Sequence, residues 1–232
     1  MRGLIEALRF LTRLPLPGAP GPFHRCAKWF PLVGLVIGAF LEIALRLGEK
    51  VDPWLGALAC LLVWAWITGA LHLDGLADTA DALGASHGNR ERFIEILSDP
   101  HVGAFGAVSL VLQIASKLVL LMLVAKSPPE GLFLVPAWAR WGTLVWGRLP
   151  TLKSGLGKSL FSGLDSRPAW LWGIALCAAS LAFPALLAIP LFVLAWRGFL
   201  SRRGGVSGDL LGAGIEITES AGLLLLVLQI RI

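Results

Sequence analysis

Apolar stretches alternate with short polar segments along the chain from Phe30 to the C-terminus. A transmembrane helix needs about 20 consecutive apolar residues, and most of these stretches approach or reach that length. Pro184 and Pro190 interrupt one pair of stretches, which is therefore either two spans or one re-entrant hairpin. The pattern predicts an all-α, polytopic integral membrane helical bundle of about seven spans, or six, at residues 30–47, 54–72, 105–126, 131–147, 169–182, 184–197 and 210–229.

The amino-acid composition is typical of a membrane protein. Of the 232 residues, 56% are hydrophobic and 15% are charged, against roughly 25% charged residues in an ordinary soluble domain. The net charge of +5 comes from scattered basic residues, so no nucleic-acid interface is predicted. Cys26, Cys60 and Cys177 are too far apart for a CxxC zinc site, so a bound metal would need oxygen or imidazole ligands. Without repeats or a soluble region, residues 1–232 are predicted to form one membrane-embedded domain.

The lysines and arginines fall mainly in alternate loops, which predicts an orientation. Short loops rich in these residues remain in the cytoplasm. With the N-terminus inside, only Lys50, Lys126 and Arg231 lie outside, and the polar loops, with a long acidic loop at about 73–104, are cytoplasmic. The basic residues then assigned to the inner side are Arg2, Arg9, Arg13, Arg25, Lys28, Arg90, Arg92, Arg148, Lys153, Lys158, Arg167, Arg197, Arg202 and Arg203.

Three aspartates mark the start of the acidic loop. Asp74, Asp78 and Asp81 are spaced i, i+4, i+7, which places their carboxylates along one face of an α-helix. Like charges at this spacing repel one another. A hard divalent cation such as Mg²⁺ relieves that repulsion, because it binds carboxylate oxygens together with substrate phosphates. We therefore expect these aspartates to bind metal, although a solvated acidic helix face would show the same spacing.

Other polar residues are candidates for the same site. Asp99 precedes the third apolar stretch and is a further candidate ligand or general base. The segment from Lys153 to Ser159 contains two lysines and two glycines, and so is either a phosphate-binding loop or a flexible basic loop. Charged side chains within membrane spans are usually functional, or pair across the bundle. Those in this chain are Glu42, Lys117, Arg140, Glu216 and Glu219, while Asp209 opens the last span.

The order of motifs resembles that of the cobalamin synthase family over nearly the whole chain. The most specific element is His72-Leu73-Asp74-Gly75-Leu76-Ala77-Asp78, followed by Asp81. The other matching elements are Phe10-Leu11-Thr12-Arg13-Leu14-Pro15, Trp29-Phe30-Pro31-Leu32-Val33-Gly34, Asp99 to Gly106, Ala139-Arg140-Trp141, Gly155-Leu156-Gly157, and Gly208-Asp209-Leu210-Leu211-Gly212-Ala213 with Glu216 and Glu219.

The resemblance implies a Mg²⁺-dependent transferase of a prokaryotic cytoplasmic (inner) membrane. Its substrates would be adenosylcobinamide-GDP and α-ribazole or α-ribazole 5′-phosphate, and its products adenosylcobalamin or its phosphate, and GMP. We expect Asp74, Asp78 and Asp81 to hold Mg²⁺, with Asp99 or one of these three as general base. The expected substrate-binding residues are His72, Arg13, Arg140, Lys153, Lys158, Asp209 and Glu219. The number of subunits stays open, and a homo-oligomer is one alternative.

Two other functions share part of this pattern. A CDP-alcohol phosphotransferase also uses clustered aspartates and Mg²⁺, but its motif D-G-x-x-A-R requires an arginine where Thr79 stands, followed by a second pair of aspartates led by glycine. A transporter would line its path with the intramembrane charges. The acidic residues of this chain instead gather at one membrane face, and no repeat is evident.

Overall fold

The computed structural model describes residues 2–16, 26–126, 131–153, 161 and 165–231, and in this part of the chain the secondary structure is helical. One isolated β-bridge joins Thr151 to Val206. The α-helices are α1 Arg2–Leu11, α2 Phe30–Glu49, α3 Pro53–Thr68, α4 Leu71–Ala85, α5 Arg90–Ile96, α6 Ala104–Ala125, α7 Val135–Trp146, α8 Arg167–Ala179, α9 Ile189–Arg203 and α10 Gly208–Arg231. Short 3₁₀ turns occupy Ala27–Trp29, Leu132–Leu134, Ser180–Ala182 and Pro184–Ala188.

Four helical stretches are long and apolar enough to cross a membrane, which confirms the predicted class of fold. They are Ala27–Glu49, Ala104–Ala125, Pro184–Arg203 and Gly208–Gln229. A fifth is obtained if α3 and α4 are taken together as one bent span. The predicted count of seven included 131–147 and 169–182, whose α-helices have only 12 and 13 residues.

The last helix, α10, is the centre of the bundle. In its apolar stretch 78% of the residues are buried, against 22% in the stretches of α6 and α9. It packs against α4, α6, α7 and α9. The exposed faces of the outer helices carry large apolar side chains such as Leu62 and Val111, as expected for surfaces that contact lipid.

A sharp bend separates α3 from α4. Gly69 and Ala70 both adopt positive φ, at 63° and 57°, and α4 turns by 87° relative to α3. The predicted span 54–72 therefore ends at Thr68. The segment 73–104, predicted as an acidic loop, consists largely of α4 and α5. The bend directs α4, with its three aspartates, onto the start of α10.

Helix α2 packs closely on the segment that leads into α7. A Cβ atom on Gly34 would lie 2.5 Å from the Cα atom of Ala137, and one on Gly38 would lie 2.6 Å from the Cα atom of Phe133. Both separations are far below van der Waals contact. Because backbone is the obstacle in each case, only glycine permits this approach of the helices.

We expect Gly38→Ala to destabilise the protein by about 1–3 kcal/mol, since the added methyl group must push α2 away from Phe133. Thermal unfolding in detergent measures the effect. Gly198→Ala is the matched control, because a Cβ atom on Gly198 meets nothing within 4 Å. Equal unfolding temperatures for the two variants would contradict the close packing of α2.

Candidate active site

Three aspartates from two helices meet where α4 crosses the start of α10. Asp74 and Asp209 line one cavity of about 210 Å³. The Asp78 carboxylate is close enough to Asp74, Asp209 and Lys153 to interact electrostatically with each. We call Asp74, Asp78 and Asp209 the acidic cluster. Lys153 forms an ion pair with it, its Nζ atom lying 2.8 Å from Oδ2 of Asp209.

Gly75 makes the contact between the two helices possible. A Cβ atom at this position would lie 2.7 Å from the carbonyl oxygen of Asp209 and 2.9 Å from its Cα atom. On the facing helix, a Cβ atom on Gly212 would lie 3.3 Å from the Cα atom of His72. Because Gly75 has no side chain, the backbones of α4 and α10 can approach closely, which brings the α4 carboxylates to Asp209.

Asp81 lies on the neighbouring face of α4 and contacts α6. Its Oδ2 atom accepts a hydrogen bond from the Gly103 N–H at 2.7 Å, and its Oδ1 atom accepts one from the Gly106 N–H at 2.9 Å. The side chain is buried at the positive end of the α6 dipole. Both oxygens of Asp81 thus join α4 to α6. Metal binding by Asp81 beside Asp74 and Asp78 stays a prediction. Within the described ranges, no group of three or more His, Cys, Asp and Glu side chains has a metal-binding arrangement.

Lys153 connects the acidic cluster to α5. Besides its ion pair with Asp209, its Nζ atom donates to the carbonyl oxygen of Leu97 at 2.5 Å. The lysine predicted to bind phosphate therefore lies beside the cavity. Lys158 and the motif Gly155-Leu156-Gly157 lie outside the described residues.

A buried charge network lies inside the bundle next to the cavity. The Lys117 Nζ atom on α6 lies 2.7 Å from Oε2 of Glu216 and 2.5 Å from Oε2 of Glu219, both on α10. The Arg140 Nη1 atom on α7 donates to Oε1 of Glu219. These four side chains are 0–5% exposed. The positive charges of Lys117 and Arg140 balance the negative charges of Glu216 and Glu219. Charged side chains can be buried inside a membrane protein when they are paired in this way.

Uncharged side chains complete the network. Gln113 donates from Nε2 to Oε2 of Glu216 at 2.8 Å and to its carbonyl oxygen at 3.0 Å. The Lys117 ammonium lies 4.2 Å from the centroid of the Trp64 ring, a cation–π contact. Sequence reasoning did not identify Gln113 or Trp64. The sequence feature that could have indicated Gln113 is its i, i+4 spacing from Lys117, which places both side chains on one face of α6.

His72 links the network to the cavity. The Arg140 Nη2 atom lies 3.4 Å from Nδ1 of His72, and the imidazole also lines the cavity with Asp74 and Asp209. Because a guanidinium can only donate, Nδ1 must accept, and a neutral His72 then carries its proton on Nε2. Arg140 and Glu219, predicted to bind substrate, are paired with each other inside the bundle and reach the cavity through His72.

The remaining predicted residues lie at other positions. Asp99 is exposed before α6, and hydrogen bonds from the His101 backbone N–H at 2.9 Å and from its ring lower the pKa of the Asp99 carboxyl. The Arg13 N–H donates to the carbonyl oxygen of Ile67, and its guanidinium lies against Gly69 at the α3–α4 bend. Neither side chain is among the described residues that line the cavity.

Comparisons with known proteins identify relatives over nearly the full length. The family model described as Cobalamin-5-phosphate synthase matches residues 3–227. A protein of Thiobacillus denitrificans named adenosylcobinamide-GDP ribazoletransferase is 51% identical over 234 residues, which cover 97% of this chain and 94% of that protein. Proteins of the same name from Novosphingobium aromaticivorans and Laribacter hongkongensis are 54% and 47% identical, covering 98% and 100% of this chain and 96% and 99% of their own. No solved structure matches the chain.

The buried charge network predicts a charge-balance effect on stability. Lys117→Met leaves one carboxylate without a counter-charge, and we expect a loss of about 3–5 kcal/mol in unfolding free energy. Lys117→Met/Glu216→Gln restores neutrality and should recover a large part of that loss. Thermal unfolding in detergent measures both effects.

The control is Asp165→Asn, which removes the exposed ion pair with Arg167 and should leave the unfolding temperature nearly unchanged, because water and salt screen such a pair. A double variant no more stable than Lys117→Met would show that charge balance is not what stabilises the network.

Proposed function

This chain belongs to the cobalamin-5-phosphate synthase family, and we propose that it is an adenosylcobinamide-GDP ribazoletransferase. It acts in the final assembly of the nucleotide loop in cobalamin synthesis. The observation that carries this function is the identity of 47–54% with ribazoletransferases of three bacteria over nearly the whole chain. The acidic cluster beside a cavity at the end of the bundle is the place where we locate the reaction.

The reaction exchanges one phosphoester partner for another. A hydroxyl group of α-ribazole, or of its 5′-phosphate, attacks the phosphorus attached to cobinamide, and the bond from that phosphorus to GMP breaks. The hydroxyl proton is lost, and GMP leaves with the bonding electrons. The site must therefore neutralise charge on a diphosphate, bind the leaving phosphate and accept one proton.

The acidic cluster fits a Mg²⁺ ion. Its donors are carboxylate oxygens, and Mg²⁺ is commonly bound by only one or two protein carboxylates together with substrate phosphates and water. Asp74 and Asp78 are the residues proposed to hold it, and Asp209 faces them across the same region. The bound ion would supply positive charge to the diphosphate. Repulsion among the three aspartates favours such a counter-ion, and Lys153 already compensates part of their charge.

Side chains of the protein are suited to the other two requirements, which are to bind the leaving phosphate and to accept the proton. Lys153 lies at the rim of the cluster, where its ammonium can contact a phosphate oxygen as well as Asp209. The Nε2–H group of His72, directed by the Arg140 contact at Nδ1, provides a neutral donor at the cavity. For the proton acceptor, the geometry favours a carboxylate of the acidic cluster over Asp99, because Asp99 is exposed and already bound to His101.

A cytoplasmic active site in the inner membrane accords with the distribution of charge. The Thr151–Val206 bridge joins the segments that follow α7 and α9. Arg148, Arg197 and Lys153 therefore lie at the same end of the bundle as Asp209. Positive residues mark the cytoplasmic end of membrane helices. The relatives are bacterial, and the nucleotide substrate is available on that side.

We expect Asp74→Asn and Asp78→Asn to reduce turnover at least about 100-fold without lowering the unfolding temperature, since each change removes charge and keeps volume. GMP release from adenosylcobinamide-GDP and α-ribazole is the assay. Asp81→Asn should instead lower the unfolding temperature, because its carboxylate caps α6.

Asp52→Asn is the matched control for the loss of one aspartate charge. Asp52 caps α3 at the N-terminus, and asparagine is an equally good cap. Near-normal GMP release by both Asp74→Asn and Asp78→Asn would exclude the acidic cluster as the active site.

A further inference from the structure

A second and larger cavity opens on the outside of the bundle. Helices α8 and α9 each pack on α7, and a space of about 580 Å³ lies between them with α7 as its floor. We call this space the α8/α9 crevice. Val145 of α7 lines the crevice, whereas Thr143 of the same helix lines the active-site cavity. The two spaces therefore lie on different sides of α7, and the crevice is separate from the cavity of the acidic cluster.

The walls of the crevice are apolar over most of its length. Trp138 and Trp141 line it, and their indole N–H groups already donate to Ser180 Oγ at 3.0 Å and to the Ala169 carbonyl oxygen at 2.7 Å. The rings thus have no unsatisfied donor to offer an occupant. Trp170 and Ile174 on the α8 wall are 71% and 66% exposed, as expected for side chains that face lipid. The lining of this region favours an apolar occupant, and its exposed wall faces the side from which a lipid would enter.

Two arginines lie at one end of the crevice. Arg148 follows α7, and Arg197 lies on α9 seven residues after Pro190, which lines the same space. At 1.5 Å per helical residue, Pro190 and Arg197 are about 10 Å apart along the axis. Among the described residues, neither arginine forms an ion pair, and no carboxylate lines the crevice. The positive charge at this end is therefore available to an anion.

We propose that the α8/α9 crevice binds an anionic phospholipid. An acyl chain lies between α8 and α9 against the tryptophan rings, and the headgroup phosphate is held by Arg148 and Arg197. The two arginines favour an anionic lipid over a zwitterionic one, because a zwitterionic headgroup would place its own positive charge beside the same two guanidinium groups. Basic pockets between membrane helices bind anionic headgroups by this physical principle.

Native mass spectrometry of the full-length protein in detergent tests the proposal. Phosphatidylglycerol should remain bound to the protein, phosphatidylcholine should not, and added inorganic phosphate should not displace the lipid. Arg148→Gln and Arg197→Gln should each weaken phosphatidylglycerol binding about fivefold, and the double variant about 25-fold. Arg202→Gln is the matched control, since Arg202 lies on the same helix but does not line the crevice.

Unchanged unfolding temperatures would show that the arginine variants remain folded. Gly173→Leu, which adds a side chain to the α8 wall, gives an independent test and should also reduce lipid binding. The proposal would be overturned by equal retention of the two lipids, by full retention of phosphatidylglycerol in the double arginine variant, or by a dimer that persists after delipidation and excludes lipid from the crevice.

Discussion

The neutral cluster of Lys117, Arg140, Glu216 and Glu219 is the interaction on which the rest of the structure depends. Charges within a lipid-embedded bundle are tolerated only when they are paired, and here the four side chains come from α6, α7 and α10. Each pairing fixes an outer helix against the central one. A single contact from Arg140 to His72 extends this arrangement to α4. The network thus stabilises the bundle and contacts a side chain, His72, that lines the cavity of the acidic cluster.

Two close contacts determine where the carboxylates of α4 lie. Gly75 lets α4 approach the backbone of Asp209, and Asp81 binds the first amides of α6. Together they hold a helix that carries several negative charges against the start of another acidic helix. Such an arrangement is unfavourable without compensating cations. Lys153 supplies one, and the proposed Mg²⁺ ion would supply a second.

The sequence was sufficient to predict the positions of the helices whose apolar pattern is uninterrupted. The predicted spans 30–47 and 105–126 agree closely with Phe30–Glu49 and Ala104–Ala125. The bend after Thr68 was not predicted, because the apolar pattern continues through Ala70, a residue that rarely adopts positive φ. Helical spacing placed Asp81 with Asp74 and Asp78, but it could not show that α6 would take both oxygens of Asp81. The partners Arg140 and Glu219 are 79 residues apart, a pairing that only the fold reveals.

The central proposal is that Asp74 and Asp78 of the acidic cluster hold one divalent cation. Electron paramagnetic resonance of Mn²⁺, a substitute for Mg²⁺, measures this directly by counting the ions bound to the purified protein. We expect one bound Mn²⁺ per chain in the wild-type protein, and its loss in a variant that combines Asp74→Asn with Asp78→Asn. Undiminished binding of Mn²⁺ by that variant would contradict the account.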